Sequence, residues 1–196
     1  MNKIIAFIVV IAAGAAAVLY FGHSTPAAQV PAGWTGFSKQ EYGLSLAYPK
    51  DYSFREEADA GFFNELGIYD AIINVPQDYQ RGTDFEVGRV DVLVSTTTAN
   101  CYTESPSGRI LSATKTINGT DFKYDPNQPL ADDAMGGQRG MYSLFAAAKN
   151  GFCYRIEKEV GFRDLRGFAD PPYPPHFDET KANADLDAIV GTITIR

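Results

Sequence analysis

GMYSLFAAAKNGFCYRIEKEV, residues 140–160, holds two runs rich in apolar residues with Asn150-Gly151 between them. Asn-Gly is the preferred pair for a two-residue type I′ turn, because both central residues must adopt positive φ. Gly140–Ala148 is therefore expected to pair antiparallel with Phe152–Val160, which places Cys153 near the turn. Asn118-Gly119 predicts a second hairpin, Ala113–Ile117 against Thr120–Tyr124. Leu44, Leu46 and Tyr48 alternate with Ser45 and Ala47, and Val90, Val92 and Val94 alternate around Asp91 and Leu93. Phe122 and Tyr124 interleave with Asp121, Lys123 and Asp125. This is the period-two pattern of strands with one buried face.

Helical periodicity comes late in the chain. Asp178 suits an N-cap, and Ala182, Leu186, Ile189 and Val190 fall on one face before Gly191. Thr192–Ile195 follows as a last strand, and a second short helix is expected over Ala99–Glu104, carrying Cys101. No internal repeat or composition break divides the chain from Trp34 to Arg196. The fold class is α+β, an antiparallel sheet covered by helices and long loops.

Ahead of this domain runs a segment without charge, Ile4 to Phe21. At ~1.5 Å per residue it reaches about 27 Å, close to the ~30 Å hydrocarbon core of a bilayer. Lys3 and the N-terminal amine are the only cations before Lys39, so the positive-inside rule leaves the N-terminus in the cytoplasm and exports the rest. Residues 1–22 are read as a transmembrane anchor or a signal peptide, since Thr25-Pro26-Ala27 also offers small residues for cleavage. The two readings differ in address. One is a single-pass membrane protein with its domain outside the cytoplasm, the other a secreted or periplasmic protein. No cysteine closely follows the apolar run, which excludes a lipobox. Residues 23–33, rich in Pro, Ala and small polar residues, form a tether to the domain at 34–196.

All 24 Asp and Glu lie past the tether, with all but one of the 17 Lys and Arg. An acidic domain repels phosphate backbones, which argues against nucleic acid as a partner. Cys101 and Cys153 are the only cysteines, too few for a structural zinc site. In an oxidising compartment the simplest arrangement is one disulfide between them. Two buried free thiols, or one reactive thiol, are the alternatives.

The stretch Tyr-Gly-Leu-Ser-Leu-Ala-Tyr-Pro-Lys-Asp-Tyr at residues 42–52 resembles the opening hairpin of PsbP-type domains. There an aromatic-Gly pair precedes an alternating strand that ends in Tyr-Pro and an aromatic. The terminal helix and strand over Asp178–Ile195 are similar too, as is the plan of small anchored bacterial envelope proteins carrying one such domain. The resemblance implies a PsbP-like αβα sandwich. Relatives of that fold range from an extrinsic photosystem subunit to a nuclear-transport factor, so the fold fixes no activity. No metal-binding or partner-binding residue of the family matches a position here, so none is carried over.

Catalytic signatures are missing from the sequence. His176 is the one histidine past the tether, within Pro171-Pro172-Tyr173-Pro174-Pro175-His176-Phe177, and there is no G-x-S-x-G, H-E-x-x-H or P-loop motif. Gly136-Gly137-Gln138-Arg139-Gly140 leads into a strand and lacks the helix dipole that cradles phosphate. Asp125, Asn127, Asp132 and Asp133 offer oxygen ligands in a loop, as do Asp185 and Asp187, but Pro126 and Pro129 break calcium-loop spacing. The reading assigns no catalytic residue, no metal and no cofactor, and favours a non-enzyme.

The segment Phe162–Phe177 stands apart in composition. It combines Phe162, Phe168, Tyr173 and Phe177 with four prolines and with Arg163 and Arg166. Prolines lower the entropy lost on ordering, and aromatics with Arg anchor interfaces. Arg163, Arg166, Phe168, Tyr173 and Phe177 are thus a candidate interaction surface, unless the rings merely cap the sheet. Phe62-Phe63 admits the same two readings. Three functions remain open: an interaction or structural module of the cell envelope, a small-ligand-binding domain, and a hydrolase with an unrecognised site.

Overall fold

The computed structural model describes residues 30–58, 68–103, 110–129, 138–165 and 171–196. Ile4–Phe21, Thr25–Ala27 and Phe62-Phe63 lie outside them. Among the described residues no helix is long and apolar enough to cross a membrane.

The strands are β1 (Trp34–Lys39), β2 (Leu44–Pro49), β3 (Ser53–Ala58), β4 (Tyr69–Asn74), β5 (Phe85–Ser95), β6 (Ala113–Ile117), β7 (Thr120–Pro129), β8 (Gln138–Lys149), β9 (Phe152–Arg163) and β10 (Thr194–Ile195). One α-helix, α1 (Glu179–Val190), joins them. Seven strands form an antiparallel sheet in the order β3-β4-β5-β9-β8-β7-β6, and β1-β2-β10 form a second, smaller sheet.

Both hairpins take the expected register. Ile117 faces Thr120 and Lys149 faces Phe152 across their turns. Asn118 and Asn150 have φ of 45° and 52°, and Gly119 and Gly151 have φ of 77° and 82°, which is the type I′ requirement. The Asn118 side chain also donates to the carbonyls of Gly191 and Ile193, so this turn holds the end of the chain as well.

The α1 helix forms where its periodicity places it. Asp178 Oδ1 accepts the Lys181 N–H at 2.9 Å, satisfying one of the orphan donors of the first turn. Ala182, Leu186, Ile189 and Val190 are buried against β5, β9 and β2. They meet Val90, Val92, Val94, Tyr154 and Ile156 of the large sheet and Leu44 and Ile195 of the small one, in a single core.

Three features depart from the sequence reading. Residues 99–102 form turns, with Cys101 and Thr103 N–H groups reaching back three residues to Thr98 and Asn100. The disulfide and a bridge from Thr103 to Ile110 hold this segment in place of a helix. Cover by several helices is also not what the described residues show, since α1 and one 3-10 turn (Gln40–Tyr42) are their helical elements. Finally, Asp125-Pro126-Asn127 lies within β7 and not in a loop, with a register shift between Asp125 and Gln128. Asp132 and Asp133 lie outside the described residues.

The sheet face away from α1 carries a second, smaller apolar cluster. Cys101 and Leu111 pack over it, so that Cys101, Leu111, Leu144, Ala146 and Cys153 bury together. Asp91 and Leu93, expected on a solvated face, are buried as well. The period-two pattern of β5 thus marks a strand buried on both sides.

Candidate functional site

Residues 171–178 of the Pro-aromatic segment and its edge lie against the end of β9 as a strap, and a few hydrogen bonds from the 80–85 turn fasten it. Gln80 Oε1 accepts the Asp178 N–H at 2.6 Å, and Gln80 Nε2 donates to the Asp178 carbonyl at 2.9 Å. The Asp84 N–H donates to the Pro175 carbonyl at 3.0 Å, and Asp84 Oδ1 accepts the Phe177 N–H at 2.9 Å. Asp84 Oδ2 meets His176 Nδ1 at 2.7 Å, while His176 Nε2 meets Glu179 Oε1 at 2.8 Å. The hydrogen bonds to Asp84 and then to Glu179 raise the His176 pKa above its ordinary value. Asp84 and Glu179 hold the imidazole from both sides, so His176 acts as a clamp between the 80–85 turn and the start of α1.

Between strap and sheet lies a cleft of about 380 Å³, lined by Asp84, Phe162, Arg163, Asp164, Leu165, Tyr173, Pro174 and His176. Its charges are largely paired. Arg163 forms an ion pair with Glu86, and buried Asp164 lies 3.5 Å from Arg139. The ring of Tyr173 stands at the mouth, 41 % exposed. None of these lining residues is a Ser, Thr or Cys, and both ring nitrogens of His176 are engaged by carboxylates.

Arg163 and Tyr173 of the candidate surface both line this cleft. Phe177 does not. It is 4 % exposed, with its ring centroid 5.3 Å from Phe85 and 4.8 Å from His176. For this ring the capping alternative holds, because the Asp84 and Gln80 bonds on either side of it turn it inward onto the sheet. Arg166 and Phe168 lie outside the described residues. Sequence reasoning missed Asp84, Gln80 and Glu179. The spacing of His176 and Glu179 across a helix start was a readable signal, whereas nothing local distinguishes Asp84, which meets His176 from 92 positions away.

Cys101 and Cys153 are joined in a disulfide with Cα atoms 5.5 Å apart, at the opposite end of β9 from the cleft. Among the described residues no group of three or more His, Cys, Asp or Glu is placed to hold a metal ion.

No family model matches the chain, and no curated protein matches it. Among solved structures it is similar to a protein of Bacteroides thetaiotaomicron VPI-5482, with 12% identity and a TM-score of 0.47. That match covers 82% of this chain and 48% of the other, so the chain spans about half the length of that protein. It is also similar to cyanobacterial PsbP (CyanoP) from Synechocystis sp. PCC 6803, with 8% identity, a TM-score of 0.46, and coverage of 89% of this chain and 99% of that one. The second belongs to the family that residues 42–52 resemble. Likeness at this level carries no statement about activity or partners.

Proposed function

We propose that this chain is a membrane-tethered, extracytoplasmic module that binds another protein of the cell envelope, without catalysis, through the cleft beside Tyr173. The observation that carries the reading is an exposed Tyr173 on a proline-stiffened strap fastened at Asp84 and Gln80, lining one cleft with Arg163 at the end of β9. A pre-ordered rim loses little conformational entropy on binding, and Tyr and Arg are favoured anchors at interfaces. The Cys101–Cys153 disulfide supports an oxidising location, and Ile4–Phe21 has the length and flanking charge of an anchor. A second reading, capture of a small ligand, is favoured by the cleft volume of about 380 Å³, which falls in the usual range for ligand pockets.

Tyr173→Ala tests the site. Since the ring is at the surface, the variant should keep its stability within about 0.5 kcal/mol. Recovery of the partner from cross-linked envelope fractions should nevertheless fall at least several-fold. An unchanged recovery at unchanged stability would remove Tyr173 from the interface, and a large loss of stability would return it to the core.

A further inference from the structure

The sheet face turned away from α1 carries charge in its middle, where strand interiors usually carry hydrocarbon. The register sets Asp91 of β5 directly opposite Glu157 of β9, and Asp70 of β4 opposite Glu57 of β3. Side chains directly opposite on one face have Cβ atoms about 4.5–5.5 Å apart, and like charges there repel. Asp70 and Asp91 are only 6 % and 7 % exposed, and an Oδ1 atom of each is buried without a hydrogen-bond partner.

The cations of this face are shared or engaged with other carboxylates, and only Arg89 reaches one of these two. Arg89 Nε lies 2.7 Å from Glu159 and 3.2 Å from Asp91, so one guanidinium serves two carboxylates. Arg55 pairs with Glu57 at 3.3 Å, and Arg155 stands 4.0 Å from Glu157. Nothing among the described residues forms an ion pair with Asp70. A carboxyl so placed is more stable protonated, because burial without a partner penalises the charged form.

We propose that Asp70 and Asp91, diagonal neighbours on β4 and β5, are proton-binding carboxyls, which makes this sheet face a pH-responsive element that tightens the domain as its surroundings acidify. Burial comes first among the causes and pushes Asp70 up to about 6, helped by Glu57 and Glu157 and opposed by Arg55 and Arg89. Asp91 is pushed up to about 7, again by burial first, with Arg89 opposing and Asp70, Glu157 and Glu159 assisting. The sign follows from linkage. A carboxyl with a folded pKa above its unfolded value of about 4 contributes fully below that value, and the contribution is lost as pH rises through the folded pKa. For this pair the loss falls between about pH 5 and 8. His176, also raised, acts in the same direction, so a profile of the unaltered protein does not by itself assign the effect.

Thermal melts of the full chain in mild detergent between pH 8.0 and 5.5 separate the contributions. The unaltered protein should gain roughly 5 °C in Tm on acidification. Asp70→Asn with Asp91→Asn should raise Tm at pH 8.0 and remove most of that gain. Carbon-13 titration of the side-chain carboxyls in the unaltered chain provides a second readout that requires no variant. It should place both inflections above pH 5.5. Inflections near the ordinary value of about 4, or a double variant that keeps the whole gain, would overturn the proposal.

Discussion

Phe177→Ala should destabilise the domain by about 3–5 kcal/mol, the range for removing a fully packed aromatic ring from a core. The residue is 4 % exposed and its ring meets those of Phe85, Phe162 and His176. Its removal opens a cavity where strap and sheet are joined, beside the clamp formed by Asp84, His176 and Glu179. Denaturant unfolding with an unchanged m-value would measure the loss directly. The contrast with Tyr173→Ala is instructive, since only three residues lie between a ring in the core and one at the rim. A cost below about 1 kcal/mol for Phe177→Ala would show that the strap is not anchored as described.

Loss of the disulfide should have an effect of similar size. Cys101 and Cys153 are 52 positions apart, and closing a loop of that size restricts the unfolded chain by about 4 kcal/mol in the chain-entropy model. Replacing both with Ser should therefore lower Tm by roughly 10 °C for a chain of this length. Both sulfurs are buried beside Leu111, Leu144 and Ala146, so the two hydroxyls add a packing cost. Peptide mapping without reductant should recover one cross-linked pair. Two free thiols in protein isolated from the envelope and alkylated at once would contradict both the bond and the oxidising address.

What could be read from the sequence is what local chemistry determines. Asn118-Gly119 and Asn150-Gly151 specify their turns because few other residues accept the positive φ that both turns display. The α1 helix was legible because its cap and its apolar face lie within one stretch of 13 residues, Asp178 to Val190. Pairing of β5 with β9 was not legible, since Val90 and Lys158 become neighbours only once the intervening strands have folded. The strap was half legible. Its composition marked Tyr173 and Arg163, but proline-rich sequence has no periodicity from which to assign an inward or outward face. Only Asp84 and Gln80, brought in from a distant turn, turn Phe177 inward and leave Tyr173 at the surface. Asp91 was misread for a related reason. Alternation reports which residues share a face, but not whether something covers that face.

The central claim is that the cleft rim contacts another envelope protein, and cross-linking from single positions tests it most directly. A photoreactive amino acid would replace Tyr173 in the full chain in living cells, with Ile110, 71 % exposed at a site away from the cleft, as the control position. Irradiation should yield one dominant adduct from position 173 in the membrane fraction, and that adduct should be absent from position 110. No adduct at position 173, or the same adducts from both positions, would contradict the account.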